Sequence, residues 1–137
     1  MQNSSLLVDA AATGNLPLPV GSTTTVSTSV DTGNSPTGDF VADVEFDISV
    51  PELTATEIPD GEMISYDLIV SNNSDLSSPT LLYPGLIVQF GAAGVGAEAA
   101  SYRARLPNAI PRYIGLQATG TANVSAAGFS ATIATVV

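Results

Sequence analysis

Residues 40–50 read Phe40-Val-Ala-Asp-Val-Glu-Phe-Asp-Ile-Ser-Val50. Val44, Phe46, Ile48 and Val50 occupy every second position, and Asp43, Glu45 and Asp47 fill the alternate ones. A period of two puts successive side chains on opposite faces of a strand. One face is then apolar and the other carries carboxylates. That pattern belongs to an antiparallel sheet with one face on a core and the other in water.

Outward from this stretch the same reading repeats. Met63–Val70 places Ile64, Tyr66, Leu68 and Val70 on one side. Thr23–Val30, Leu86–Phe90, Ser101–Leu106, Arg112–Thr119 and Phe129–Val137 are further strand candidates, rich in β-branched or alternating residues. Between them lie segments full of turn formers: 31–39, Pro59-Asp-Gly61, 71–79, the glycine-bearing 92–100 and 120–123. Seven or eight short strands spaced by roughly ten residues, with no strong helix, predict an all-β antiparallel sandwich or barrel.

Residues 1–22 read as an extended N-terminal arm, and residues 23–137 as a single domain. The prolines of Leu16-Pro-Leu-Pro-Val20 restrict their own φ and the residues before them, which holds the chain extended. Two readings are open. The arm lies on a neighbouring molecule through Leu16, Leu18 and Val20, or it forms an edge segment on its own sheet.

Composition narrows the chemistry. The 137 residues include no Cys, no His, no Lys and no Trp, three arginines and 13 carboxylates, for a formal charge of -10. A chain without His or Cys has neither the usual general base nor a thiolate metal site. Ser-His-Asp and Cys-His chemistry are excluded, as is Schiff-base chemistry on lysine. The acidic balance disfavours nucleic acid and anionic membrane, both of which call for basic surfaces. No stretch approaches the ~20 apolar residues of a membrane span. The opening residues Met1–Asp9 lack a basic region, so no secretion signal is expected.

Three groups of residues are candidates for chemistry. Asp43, Glu45 and Asp47 stand about 7 Å apart along one strand face. They are read as a solvated face, with a hydrolase using two of Asp43, Glu45, Asp47, Asp60 and Glu62 as the alternative. Asp31, Asn34 and Asp39 share a loop without the spacing of a calcium loop, and turn chemistry accounts for them. No cofactor or metal is expected. The third group holds every positive side chain of the molecule: Arg103, Arg105 and Arg112, in Tyr102-Arg-Ala-Arg-Leu-Pro-Asn-Ala-Ile-Pro-Arg-Tyr113. Arg103 and Arg105 share a strand face, and the short link suggests a hairpin gathering all three guanidinium groups. They pair with the chain's own acidic strands or with an acidic neighbour; arginine's planar fork suits either.

The stretch Tyr102–Gly120, closed by Phe129-Ser-Ala-Thr-Ile-Ala-Thr-Val-Val137, resembles the jelly-roll capsid cement (decoration) proteins of tailed bacteriophages. The likeness extends loosely over 23–137 and is most specific at Arg112-Tyr113. It implies a jelly-roll sandwich of about eight strands and no catalytic residues. It further implies a homotrimer on the outer face of a virion that bridges major capsid proteins. The expected contact residues are Arg103, Arg105, Arg112, Tyr102, Tyr113, Leu16, Leu18 and Val20. The alternative is a carbohydrate- or cell-surface-binding sandwich, with Tyr66, Tyr83, Tyr102 and Tyr113 as stacking platforms.

Overall fold

A computed structural model describes residues 13–32, 45–107 and 111–136. Among them are nine strands and no helix. These are β1 (Thr13–Pro17), β2 (Thr24–Val26), β3 (Val30–Asp31), β4 (Glu45–Val50), β5 (Met63–Ser71), β6 (Thr80–Phe90), β7 (Ala100–Arg105), β8 (Tyr113–Gly120) and β9 (Ser130–Val136). They form two antiparallel sheets, β1-β9-β4-β7 and β2-β8-β5-β6, with β3 continuing the β2 lane along β8. Nine segments therefore fill eight lanes.

The pairing is nested. β1 pairs with β9, β2 and β3 with β8, β4 with β7, and β5 with β6. Two further pairings, β4 with β9 and β5 with β8, join these into the two sheets.

β4 and β5 follow their expected alternation. Phe46, Ile48 and Val50 are buried, as are Ile64, Tyr66, Leu68 and Val70. Ile114, Leu116, Ala118, Ala131 and Ile133 complete the core between the sheets. Asp43 and Val44 lie outside the described residues, as do Asn34 and Asp39. Gly61 turns the chain at Pro59-Asp-Gly61 with φ of 85°, and the Glu62 amide donates to the Pro59 carbonyl at 3.0 Å.

Three expectations need amendment. Residues 13–22 are part of the sandwich, taking the edge-segment reading of the arm; residues 1–12 lie outside the described residues. β1 pairs with β9 from Thr13↔Ala134 to Pro17↔Ser130, and Leu16 and Leu18 are buried in the core. Pro17 is tolerated at its end because β1 is an edge strand. Gly14 lets β1 approach the chain at Thr28, since a Cβ there would stand 2.5 Å from the Thr28 carbonyl oxygen. The Asn15 amide donates to Thr28 Oγ1 at 3.0 Å, and the Thr28 amide to the Asn15 carbonyl at 3.1 Å.

The second amendment concerns the arginine segment. β7 and β8 do not pair: β7 is an edge of one sheet and β8 lies inside the other. The short link fits a crossing between facing sheets as well as a hairpin. β7 instead takes β4 as its partner, while β8 is flanked by β5 on one side and β2 and β3 on the other.

The third is β6, which starts at Thr80 rather than Leu86. Pro84 and Gly85 disguise its first half. Proline is admissible on an edge strand, and Gly85 takes φ of 61° where the β5–β6 register shifts. Asp67 fastens the irregularity by accepting the Gly85 amide at 2.7 Å.

Candidate functional site

The β4–β7 pairing sets carboxylates against guanidinium groups on one outer sheet face. Glu45 lies opposite Arg105, and Asp47 opposite Arg103. Arg103 Nε donates diagonally to Glu45 Oε1 at 2.6 Å, with both side chains about half exposed (55 and 44 %). The hydrogen bond from Glu45, and then its charge, raise the Arg103 pKa above its ordinary value. Arg105 is also engaged. Pairs this open to water contribute little to stability.

Arg112 forms a fork on Asp31. Its Nε donates to Oδ1 at 2.9 Å and its Nη2 to Oδ2 at 2.8 Å. The guanidinium carbon stands 5.5 Å from the ring centroid of Tyr113, the residue paired with Asp31 in the β3–β8 register. Arg112 and Arg103 are thus placed by different sheets and hold carboxylates of their own chain. The structure does not gather the three arginines at one hairpin edge.

The aromatic candidates separate by depth. Tyr66 is fully buried and its hydroxyl donates to Gln89 Oε1 at 2.6 Å; burial pushes the phenol well above its usual range. It offers no face to a ligand. Tyr83 and Tyr102 each stack near Phe46, with centroid distances of 6.3 and 6.0 Å. Tyr102 is exposed, and so is Val20, whereas Leu16 and Leu18 are internal.

The acidic candidates are occupied by structural tasks. Asp60 Oδ1 accepts the Gly94 amide at 2.9 Å. Glu62 accepts from the Asn123 amide at 2.9 Å and from Thr121 Oγ1 at 2.7 Å, and these bonds, the backbone one foremost, hold its pKa below the ordinary value. Asp31 is committed to Arg112. Among the described residues no three Asp or Glu side chains come together as a metal site.

One feature escaped the sequence reading. In β6, Gln89 points inward while Val88 and Phe90 face out. Gln89 Nε2 donates to the carbonyls of Pro51 at 2.7 Å and Glu98 at 3.1 Å, and its Oε1 takes the Tyr66 proton. A polar residue flanked by two apolar ones on a strand is the signal: one buried amide with full partners has displaced the expected pattern.

No family model, no curated protein and no solved structure matches this chain.

Proposed function

We propose that this protein is a capsid cement (decoration) subunit of a tailed bacteriophage. In this reading it is a jelly roll that assembles as a homotrimer on the outer face of the shell and bridges neighbouring major capsid proteins. The observation that carries it is the nested strand order. A jelly roll is a long antiparallel hairpin rolled into two facing sheets. Rolling brings the outermost pair, β1 with β9, beside β4 with β7, and brings β2, β3 and β8 beside β5 and β6. The pairings described above have this order. The resemblance carried by Tyr102–Gly120 and Phe129–Val137 supports the virion setting.

Composition supports the same reading. Small Ser, Thr, Val and Ala side chains lose little rotamer freedom when they are locked against a neighbour. The expected contact set narrows to its exposed members, Tyr102 and Val20, with Arg103, Arg105, Arg112 and Tyr113 as a charged and aromatic border. Nucleic acid and membrane are not among the partners proposed.

The test joins two measurements: the mass of the purified protein by sedimentation equilibrium, and its cosedimentation with empty phage heads. A trimer that pellets with heads is the expected result. A monomer that stays in the supernatant would overturn the proposal.

A further inference from the structure

The eleven residues of β6, Thr80–Phe90, contain no charged side chain. β6 is also an edge, with β5 as its strand partner. Exposed edges of this kind recruit other chains through their unpaired backbone groups, and proteins usually guard them with charge. Here Leu81, Val88 and Phe90 are half exposed instead (51, 52 and 55 %).

Beside Val88 and Phe90 the edge opens into a groove of about 470 Å³, walled on its far side by residues 92–100. Val95 stands 73 % exposed on that wall. The groove is held in shape from below. Gln89 ties the strand to the Glu98 carbonyl, Leu53 and Ala97 exchange backbone hydrogen bonds at 2.9 Å, and Asp60 holds the Gly94 turn.

Around it stand carboxylates. Glu98 lines the groove. Glu52 precedes Leu53, the bridge partner of Ala97. Asp60 lies beneath Gly94. The arginines are placed elsewhere: Arg103 on Glu45, Arg112 on Asp31, and Arg105 opposite Glu45 and itself engaged. A second copy therefore brings its own excess of ten negative charges and no free cation among its described residues to meet this rim.

We propose that this edge docks an extended segment of a different protein. The segment is apolar at alternate positions, flanked by lysine or arginine, and adds as a further strand beside β6. Backbone hydrogen bonds to an edge that no other described strand pairs with supply affinity in this mode, and the groove and its rim supply selectivity. The inference is independent of whether the partner is a shell protein, and it fails or stands separately from the head-binding test.

The experiment uses the full chain and two fluorescein-labelled peptides of about ten residues with alternating valine and serine. One carries lysines at both ends and the other glutamates. Fluorescence anisotropy should show binding of the lysine-ended peptide, weakening as salt rises, and at least tenfold weaker binding of the glutamate-ended one. Val88→Asn and Val95→Asn, which remove apolar surface without adding charge, should each weaken the lysine-ended peptide at least tenfold, whereas Thr24→Asn on β2, the opposite edge of that sheet, should not. Both Val replacements alter side chains more than half exposed, and unchanged thermal midpoints show that the variants are folded. Three outcomes overturn the proposal: no binding of the lysine-ended peptide, equal binding of both peptides, or a wild-type oligomer that Val88→Asn or Val95→Asn disperses. The last would make a second copy the occupant.

Discussion

Leu76 rests where Gly115 lacks a side chain. A Cβ on Gly115 would stand 2.3 Å from Leu76 Cδ1 and 3.3 Å from Ser27 Oγ. Leu76 lies in the β5–β6 loop with φ of 59°, yet it is buried. The loop is thus pinned to the outer face of β8 by a leucine in a backbone conformation that non-glycine residues seldom adopt.

Gly115→Ala should therefore expel Leu76 and cost about 1–3 kcal/mol, the usual range for forcing extra volume into a packed site. In a Leu76→Ala background the added methyl has room, and the cost should largely vanish. Urea denaturation of the four proteins in a double-mutant cycle measures this. Equal costs in both backgrounds would show that the contact is not what excludes a side chain at 115.

The Gln89 network gives a second expectation. Gln89→Leu leaves the Tyr66 hydroxyl and the Pro51 and Glu98 carbonyls without the partner they have now. Stranding a buried polar group costs about 1–3 kcal/mol. Tyr66→Phe deletes one donor while Gln89 keeps its two carbonyl partners, so it should cost less, about 1 kcal/mol. Chemical denaturation ranks the two, and a milder Gln89→Leu would contradict the network.

Acid should find Glu62 and Asp75. Each has a pKa held below its ordinary value, 4.5 and 3.8 respectively, Glu62 foremost by the Asn123 amide and Asp75 by hydrogen bonds from Ser77. A depressed folded pKa means that the folded state favours the charged form. Their contribution is complete above the ordinary values and is lost as pH falls through the folded ones. The thermal midpoint of the wild type should fall below pH 4.5, and Glu62→Gln should flatten that fall. Parallel curves for the two proteins would assign the acid sensitivity to other groups.

The N-terminal stretch offers a sharp contrast between neighbours. Leu16 is fully buried and Val20 is 51 % exposed. Leu16→Ala should cost about 2–5 kcal/mol by removing core volume. Val20→Ala should change stability by no more than about 0.5 kcal/mol. Similar small effects at both positions, read by calorimetry, would return Leu16 to a surface role.

Arg103 and Arg112 should matter little to folding. Arg103→Ser should lower stability only slightly at low salt, and the difference should shrink in 1 M sodium chloride, where the screening length falls to about 3 Å. A large loss that salt does not touch would mean that the Arg103–Glu45 pair is shielded from water.

Local pattern made much of the sandwich legible. The alternation at 44–50 and 64–70 identified the inward side chains of β4 and β5, because the buried face of a sheet selects residues one by one. Pairing was not legible in the same way. The link after Leu106 looks alike whether β8 folds back on β7 or crosses to the opposite sheet, and that choice is made by partners far off in sequence. Prolines 17 and 19 correctly marked an extended chain but could not show that Leu16 and Leu18 between and beside them face inward. Pro84 and Gly85 hid the first half of β6, and Gln89 inverted the pattern of the second. The β6 edge therefore emerged only from the strand order of the described residues, in which β6 is the last lane of its sheet.

The nesting of the strands also bears on how the chain is made. β5 and β6 are neighbours in sequence and can pair as soon as both exist, whereas Thr13 waits for Ala134. Synthesis delivers the N-terminal half first. Leu16 and its neighbours must then remain apolar and unpaired until Ser130–Ala134 have left the ribosome. The small side chains and glycine of the 10–14 stretch, together with prolines at 17 and 19, keep that waiting segment from pairing with the wrong chain.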